Sequence, residues 1–190
     1  MNKSVFQTLY IVINVVALVF SAILIVALMA PTMFVIMIKD DNQSSVAYFG
    51  PFNWHHDGKL KTYESVTGGF RFIQLMFVLA TGASFFSSVF AVVGYLRKRF
   101  RRPAAISLLT TVPIQGILAL SYTIQYIWTY FSKTFISLQR SILDIKIGPD
   151  SFPVPRLMYI VWAMTLVYFV LAIMVFVHKF TDERIDFDEK

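Results

Sequence analysis

The sequence contains no cysteine and few charged residues: of its 190 residues, only 15% are Asp, Glu, Lys or Arg. The absence of cysteine excludes a disulfide framework, a thiolate metal site, a cysteine nucleophile and a palmitoylated cysteine. The low charge content goes with 57% hydrophobic residues and a mean hydropathy of +0.65, which is more apolar than a soluble domain normally is. The composition therefore predicts an integral membrane protein.

The long apolar runs of the sequence have no Asp, Glu, Lys, Arg or His in their interiors. Because such residues inside a membrane usually mark proton relays, ion paths and substrate sites, their absence argues against a pump, a proton-coupled transporter and a membrane hydrolase. The sequence also has no G-x-S-x-G, H-E-x-x-H, P-loop or G-x-G-x-x-G motif. We therefore expect a protein that is not an enzyme and that holds no cofactor and no metal ion.

Four apolar runs are each longer than the ~18 uncharged residues that predict a transmembrane helix. Because no water reaches the hydrocarbon core, backbone groups there must pair within their own segment, which predicts helices. We expect one four-span domain over residues 1–190, of the all-α transmembrane class, built as a four-helix bundle. The predicted spans are 5–38, 72–96, 104–131 and 157–177, and the predicted outer loops are 39–70 and 132–156.

The first apolar run, Val5–Ile38, is too long for a straight crossing. As a helix it would span roughly 51 Å at about 1.5 Å per residue, well beyond a hydrocarbon core of ~30 Å. We expect either a strong tilt or a bend near Pro31, with the helix continuing above the membrane. The run is also longer than the apolar region of a signal peptide, which predicts an uncleaved first span.

The short connection between the second and third runs is strongly basic. The positive-inside rule predicts that this connection lies in the cytoplasm, and with it both termini. The same residues are candidates for binding anionic lipid headgroups. They are Arg97, Lys98, Arg99, Arg101 and Arg102. The longer loops then face the outside, where Asn42 begins an Asn-Gln-Ser triplet and is a candidate for glycosylation.

The first outer loop has aromatic residues on both sides of Asp57-Gly58. An Asp-Gly pair provides the positive φ angles of a tight turn, so we expect a β-hairpin around it. In the second outer loop, Leu143–Ile147 alternates apolar and polar residues and predicts a third strand of the same small outer sheet. Aromatic residues of the first loop would bind a partner there or, alternatively, pack on the ends of the helices. These residues are Tyr48, Phe49, Phe52 and Trp54.

The second span carries small residues at helical spacing. Such rows allow another helix to approach closely, either a helix of a partner or another helix of the same chain. The residues concerned are Ala80, Ala83, Ser84, Ser87, Ser88 and Ala91. The third span holds Gln115 and Gln125, and we expect both to form hydrogen bonds across helices. Their expected partners are Asn14, Gln74 or Thr81.

This layout resembles that of claudin-like four-span membrane proteins, with their PMP22-type, Sur7-type and MARVEL-type relatives. The stretch Phe-Gly-Pro-Phe-Asn-Trp at 49–54 is similar to the W-x-x-G-L-W stretch in the first outer loop of that family. The pair of cysteines that follows the stretch in the family is absent from this chain. The resemblance implies four spans with a sheet on the outer side and a function through contacts.

We therefore expect a protein that acts by contact, as an accessory subunit or organiser of a larger membrane protein complex or as an adhesion component. Its partner would be another integral membrane protein or a second copy, among membrane lipids, in the plasma membrane. A nucleic acid is not expected, because the basic residues lie in short clusters between apolar runs. The alternative is a small oligomeric pore or transport subunit. Gln115, Ser121 and Gln125 would line its path.

Overall fold

The structure, a computed structural model, describes residues 3–40, 43–56, 58–63, 66–132 and 154–188. Within these residues the chain is mostly helical, with four long apolar helices and a small antiparallel sheet of four strands. The helices are α1 (Lys3–Met29), α2 (Gly68–Leu96), α3 (Arg101–Ser132) and α4 (Arg156–Asp188). The strands lie between α1 and α2 in the sequence. They are β1 (Phe34–Asp40), β2 (Gln43–Phe49), β3 (Asn53–His56) and β4 (Lys59–Thr62).

Four helices of the described part of the chain are long and apolar enough to cross a membrane, as the sequence predicts. The crossing segments are Val5–Met29, Gly68–Leu96, Arg101–Trp128 and Arg156–Val177. These segments indicate a multi-pass membrane protein. The helix α4 continues past its crossing segment to Asp188, so it extends well beyond the predicted end of the fourth span at Val177.

The first apolar run is not helical throughout, so the predicted span of 5–38 is wrong beyond Met29. The chain turns around Pro31, which has no amide hydrogen to donate within a helix. Directly afterwards the amide of Met33 donates to the carbonyl of Phe49 at 2.6 Å, and pairing with β2 continues along β1. The β-branched residues after Pro31 favour this extended backbone. The end of the apolar run therefore belongs to the sheet.

The four strands form a meander in the order β1-β2-β3-β4. The predicted hairpin is confirmed, because His56 pairs with Lys59 and Gly58 has a φ of 73°. One feature of the sheet differs from the prediction, since β1 was not expected. The turn at Gly50, which divides the aromatic stretch into β2 and β3, agrees with the bend or strand edge that the pair Gly50-Pro51 predicts. The third strand predicted at Leu143–Ile147 lies outside the described residues.

The chain divides into two compact units. Unit 1 comprises Met1–Ile23, Leu79–Gly116 and Trp162–Lys190, and unit 2 comprises Leu24–Val78 and Ile117–Val161. Each unit contains segments of all four helices, and the sheet belongs to unit 2.

An aromatic cluster forms the core of unit 2. The side chain of Tyr122 from α3 is fully buried, and its hydroxyl donates to the carbonyl of Met33. Its ring lies edge-on to Phe34 of β1 and Phe77 of α2, with centroid distances of 5.1 and 5.9 Å. Edge-to-face pairs of this kind stabilise a core beyond their buried area. The cluster therefore holds the start of the sheet against α2 and α3.

Candidate functional site

One face of the sheet carries apolar side chains that remain exposed. The register pairs Tyr48 with His55 and His55 with Leu60, which places the three side chains in one row across β2, β3 and β4. Tyr48 is 41% exposed and Leu60 is 61% exposed. Val46 is also exposed, and since it lies two residues before Tyr48 it is on the same face. We call Val46, Tyr48, His55 and Leu60 the exposed sheet face.

Two of the four aromatic residues that were expected to bind a partner lie on the opposite face. Phe49 is fully buried and Trp54 is 8% exposed, and their rings stack at a centroid distance of 6.0 Å. The ammonium group of Lys61 lies 5.1 Å from the centroid of the Trp54 ring and covers it. This pair packs inside the chain, as the alternative interpretation of the aromatic loop expected. Of the predicted set, Tyr48 and Phe52 are exposed.

The turn between β2 and β3 is fixed to both helices that flank the sheet in the sequence. The side-chain amide of Asn53 donates to the carbonyl of Met29, at the end of α1, over 2.6 Å. The side-chain amide of Gln74 in α2 donates to the carbonyl of Pro51, also over 2.6 Å. These two bonds satisfy backbone carbonyls that have no partner in a strand or helix. They hold the sheet in one position within unit 2.

A third bond to this turn comes from Tyr63, which follows β4. Its hydroxyl donates to the carbonyl of Gly50 over 2.8 Å, and its ring lies edge-on to Phe70 at 5.4 Å. Burial raises the pKa of the Tyr63 hydroxyl far above its ordinary value. The hydroxyl, which like any tyrosine is protonated at neutral pH, therefore also remains a donor in alkaline solution.

The small residues of α2 pack against α3 inside unit 1, which is the same-chain alternative of the prediction. The hydroxyl of Ser87 lies 2.6 Å from that of Ser107 and 2.5 Å from that of Thr111. Because the small side chains let the helices approach closely, hydroxyls of both helices come within bonding distance. The fully buried members of the row are Ala80, Ser84, Ser87, Ser88 and Ala91, and Ala83 is half-buried.

Gln115 crosslinks the same two helices, although the partners predicted for it are wrong. Its side-chain amide donates to the hydroxyl of Ser84 and, over 3.3 Å, to the carbonyl of Ala80. The side chain is fully buried, and its carbonyl oxygen has no hydrogen-bond partner. This position gives Gln115 a packing role between α2 and α3.

The hydroxyl of Tyr168 in α4 is the centre of a polar cluster that sequence reasoning missed. It lies 2.7 Å from the hydroxyl of Ser21 in α1 and 2.7 Å from that of Ser88 in α2. It also donates to the carbonyl of Ser84 over 2.9 Å. The hydroxyl of Ser21 also donates to the carbonyl of Ala17 over 2.9 Å, so the phenol belongs to a connected set of hydroxyl and carbonyl groups from three helices. A tyrosine in an apolar run gives no sequence signal for such a role.

We expect the substitution Tyr168→Phe to lower the free energy of unfolding by about 1–3 kcal/mol, because it removes the shared partner of two buried serines. The matched control is Tyr159→Phe on the same helix, since Tyr159 is 61% exposed. The control should change stability by less than about 0.5 kcal/mol. Thermal unfolding of the purified protein in detergent measures both. Equal shifts for the two variants would contradict a central role for Tyr168.

The basic residues between α2 and α3 do not all have the same surroundings. Arg97, Arg99 and Arg102 are exposed, whereas Arg101 is half-buried. Arg101 also lines a half-open cleft in unit 1. The side chain of Lys98 and the glycosylation candidate Asn42 lie outside the described residues.

Among the described residues, no group of three His, Asp or Glu side chains could hold a metal ion. The candidate site is the exposed sheet face, whose apolar side chains Val46, Tyr48 and Leu60 are accessible to solvent. Neither a protein-family model nor a curated protein matches the sequence.

Proposed function

We propose that the chain is a claudin-like, non-enzymatic four-span membrane protein that acts by contact, as an accessory subunit or organiser of a larger membrane protein complex. The observation that carries the proposal is the exposed sheet face. Its apolar side chains belong to a segment between two membrane spans, where water rather than lipid would surround them. Exposed apolar patches on such a surface are typical of interaction sites.

The way the sheet is held supports a recognition role for this face. Asn53 and Gln74 fix the turn between β2 and β3, and the buried Phe49-Trp54 pair fixes the opposite side of the sheet. A surface that is already ordered loses little conformational entropy when it binds. An exposed tyrosine is a common anchor of protein interfaces. Tyr48 is the tyrosine of the exposed sheet face.

The proposed orientation places the basic turn in the cytoplasm and the sheet on the outer side of the plasma membrane. The partner would then meet the sheet outside the membrane, either beside the chain in the same membrane or on a facing one. The contact function is preferred to an oligomeric pore because Gln115 is enclosed between α2 and α3 and uses its amide to join them. A residue in that position favours helix packing over conduction.

The proposal is tested by purifying the tagged full chain from its native membrane in a mild detergent and quantifying the membrane proteins that remain bound. The double variant Tyr48→Ser with Leu60→Ser removes the two most exposed apolar side chains of the exposed sheet face. We expect it to reduce the bound partner by about tenfold or more. The control is Lys59→Ser, since Lys59 is an exposed residue of β4 that alternates with Leu60 and so lies on the other face.

The outcomes separate the proposal from its competitors. Loss of one stoichiometric membrane protein from the double variant, but not from the control, supports it. Loss of a second copy of this chain instead would identify the partner as the chain itself. If both variants are folded by thermal unfolding and both retain the same bound membrane proteins, the proposal is wrong.

A further inference from the structure

The exposed sheet face includes a histidine, the type of side chain whose charge ordinarily changes between about pH 5 and 8. This residue, His55, lies in the middle of the row across the sheet, because it pairs with Tyr48 of β2 on one side and with Leu60 of β4 on the other. These two neighbours are the most exposed apolar side chains of the face. A positive charge on His55 would therefore stand between the two apolar side chains that a partner covers.

The surroundings of His55 hold its ring without offering it a charged partner. The side chain is half-buried, and its ring lies against the phenol ring of Tyr48, with a centroid distance of 6.2 Å and an interplanar angle of 53°. Among the described residues, its side chain forms no hydrogen bond and no ion pair. Within the described part of the chain, nothing compensates a positive charge on this ring.

The charged residues of the sheet lie away from this row. The strands on either side of β3 are β2, which has no charged residue, and β4. In β4, Lys59 and Lys61 occupy alternate positions that belong to the opposite face. Lys39 of β1 is on the same face as His55 but four positions along the strand from its row, about 13 Å at about 3.3 Å per residue. Asp57, in the turn after β3, lies outside the described residues.

A partner that covers the exposed sheet face also takes water away from His55. Removing water from a charged imidazole costs far more free energy than removing it from a neutral one, unless a new charged or hydrogen-bonding partner is supplied. An apolar surface that fits the side chains of Tyr48 and Leu60 supplies no such partner. Binding to this face therefore selects the neutral form of His55.

We propose that acidification releases the partner from the exposed sheet face, because a protonated His55 places an uncompensated positive charge in the contact. The inference rests on the proposed function, since it concerns the regulation of the same surface. A free histidine side chain titrates near pH 6.5. A contact that admits only the neutral form is complete above that pH and weakens as the pH falls, by about tenfold between about pH 7.5 and about pH 5.5.

The test measures contact at this face directly. Because the chain has no cysteine, Thr62→Cys provides a single attachment site for a photocrosslinker. Thr62 is an exposed residue of β4, two positions after Leu60 and on the same face. The labelled full chain is added to detergent-solubilised native membranes at a limiting concentration, so that the yield of its adduct with a membrane protein follows the affinity. We expect the yield to be about tenfold lower at about pH 5.5 than at about pH 7.5.

Three variants, each made in the Thr62→Cys chain, identify the group that titrates. His55→Gln is uncharged at both pH values, so its yield should be high at both. His55→Lys is charged at both, so its yield should be low at both. The matched control is His56→Gln, since His56 is the next residue of β3 and belongs to the opposite face. This control should keep the pH dependence of the wild type.

The outcomes separate this inference from the function on which it rests. A fall in yield that His55→Gln shares with the wild type would assign the titration to another group and overturn the inference. Equal wild-type yields at both pH values would also overturn it, and the contact function would stand as long as Tyr48→Ser with Leu60→Ser abolishes the adduct. If that double variant keeps the adduct, the proposed function is wrong and the inference with it. Thermal unfolding at both pH values establishes that each variant is folded.

Discussion

The substitution Gly50→Ala is expected to lower the free energy of unfolding by about 1–3 kcal/mol, because it overpacks a backbone junction. A Cβ atom at this position would lie 2.6 Å from the carbonyl oxygen of Ala30 and 2.8 Å from the Cα of Pro31. Both are backbone atoms, so relief requires a shift of the turn that connects α1 to the sheet. The measurement is the apparent unfolding temperature in detergent, followed by tryptophan fluorescence, since Trp54 lies in the affected sheet.

The matched control is Gly82→Ala in α2. A Cβ atom on Gly82 would have no neighbour within 4 Å, so the substitution adds a methyl group in open space. Alanine is favoured over glycine inside a helix by up to about 1 kcal/mol, which predicts an unchanged or slightly higher stability. If Gly50→Ala were as stable as Gly82→Ala, the close contact between the sheet and the end of α1 would not exist in the folded protein.

Gly50 also shows that the sequence can indicate a turn without indicating the contacts that fix it. The Gly-Pro pair predicts a bend or a strand edge in the aromatic stretch, and the chain does turn there. The sequence does not show that the turn is pressed against Ala30 and held by Asn53 and Gln74. Those contacts depend on β1, which was not predicted because its first residues belong to the apolar run that was interpreted as one membrane span.

The number of helices could be predicted because a membrane span needs a minimum length of uncharged residues, and four runs exceed it. The end of the first helix could not be predicted from hydropathy. Residues that would be buried in lipid and residues of a half-buried strand are equally apolar, so Val35 and Ile36 carry no signal that separates the two. The excess length of the run and Pro31 were the available indications of a change in structure.

The sequence placed the candidate contact residues in the predicted first outer loop, but it did not separate the two faces of the sheet that this loop forms. Adjacent strand residues point to opposite faces, so Tyr48 and Phe49 cannot both be exposed on one surface. Leu60 was missed because a single leucine between two lysines does not stand out in a sequence. The register of β3 with β4 brings it into line with Tyr48.

The polar contacts between helices show a second limit of prediction from the sequence. The sequence indicates that Gln115 must find a partner, but it does not give the axial offset between α2 and α3 that decides which partner. In the same way, the axial offsets of α4 relative to α1 and α2 align Tyr168 with Ser21 and Ser88, two small residues on other helices. Helical periodicity in a sequence shows which face of a helix is polar. It does not show the axial offset of two packed helices, because that offset is set by tertiary packing.

The largest single effect on stability is expected from Tyr122→Ala, which should lower the free energy of unfolding by about 3–5 kcal/mol. The substitution removes a fully buried ring that contacts Phe34 and Phe77 and also removes the donor to the carbonyl of Met33. Tyr122→Phe keeps the ring and loses only the hydroxyl, so its cost should be about 1–2 kcal/mol. Thermal and denaturant unfolding in detergent give both values.

The difference between these two variants separates ring packing from hydrogen bonding in the core of unit 2. Ile124→Ala, which truncates an exposed side chain on the same helix, is the control for shortening an apolar residue of α3. Its effect should be small, because a side chain that faces detergent leaves no cavity when it is shortened. If Tyr122→Ala were no worse than Ile124→Ala, the aromatic cluster would not be what holds β1 against the helices. The exposed sheet face would then lack the rigid support on which its proposed role depends.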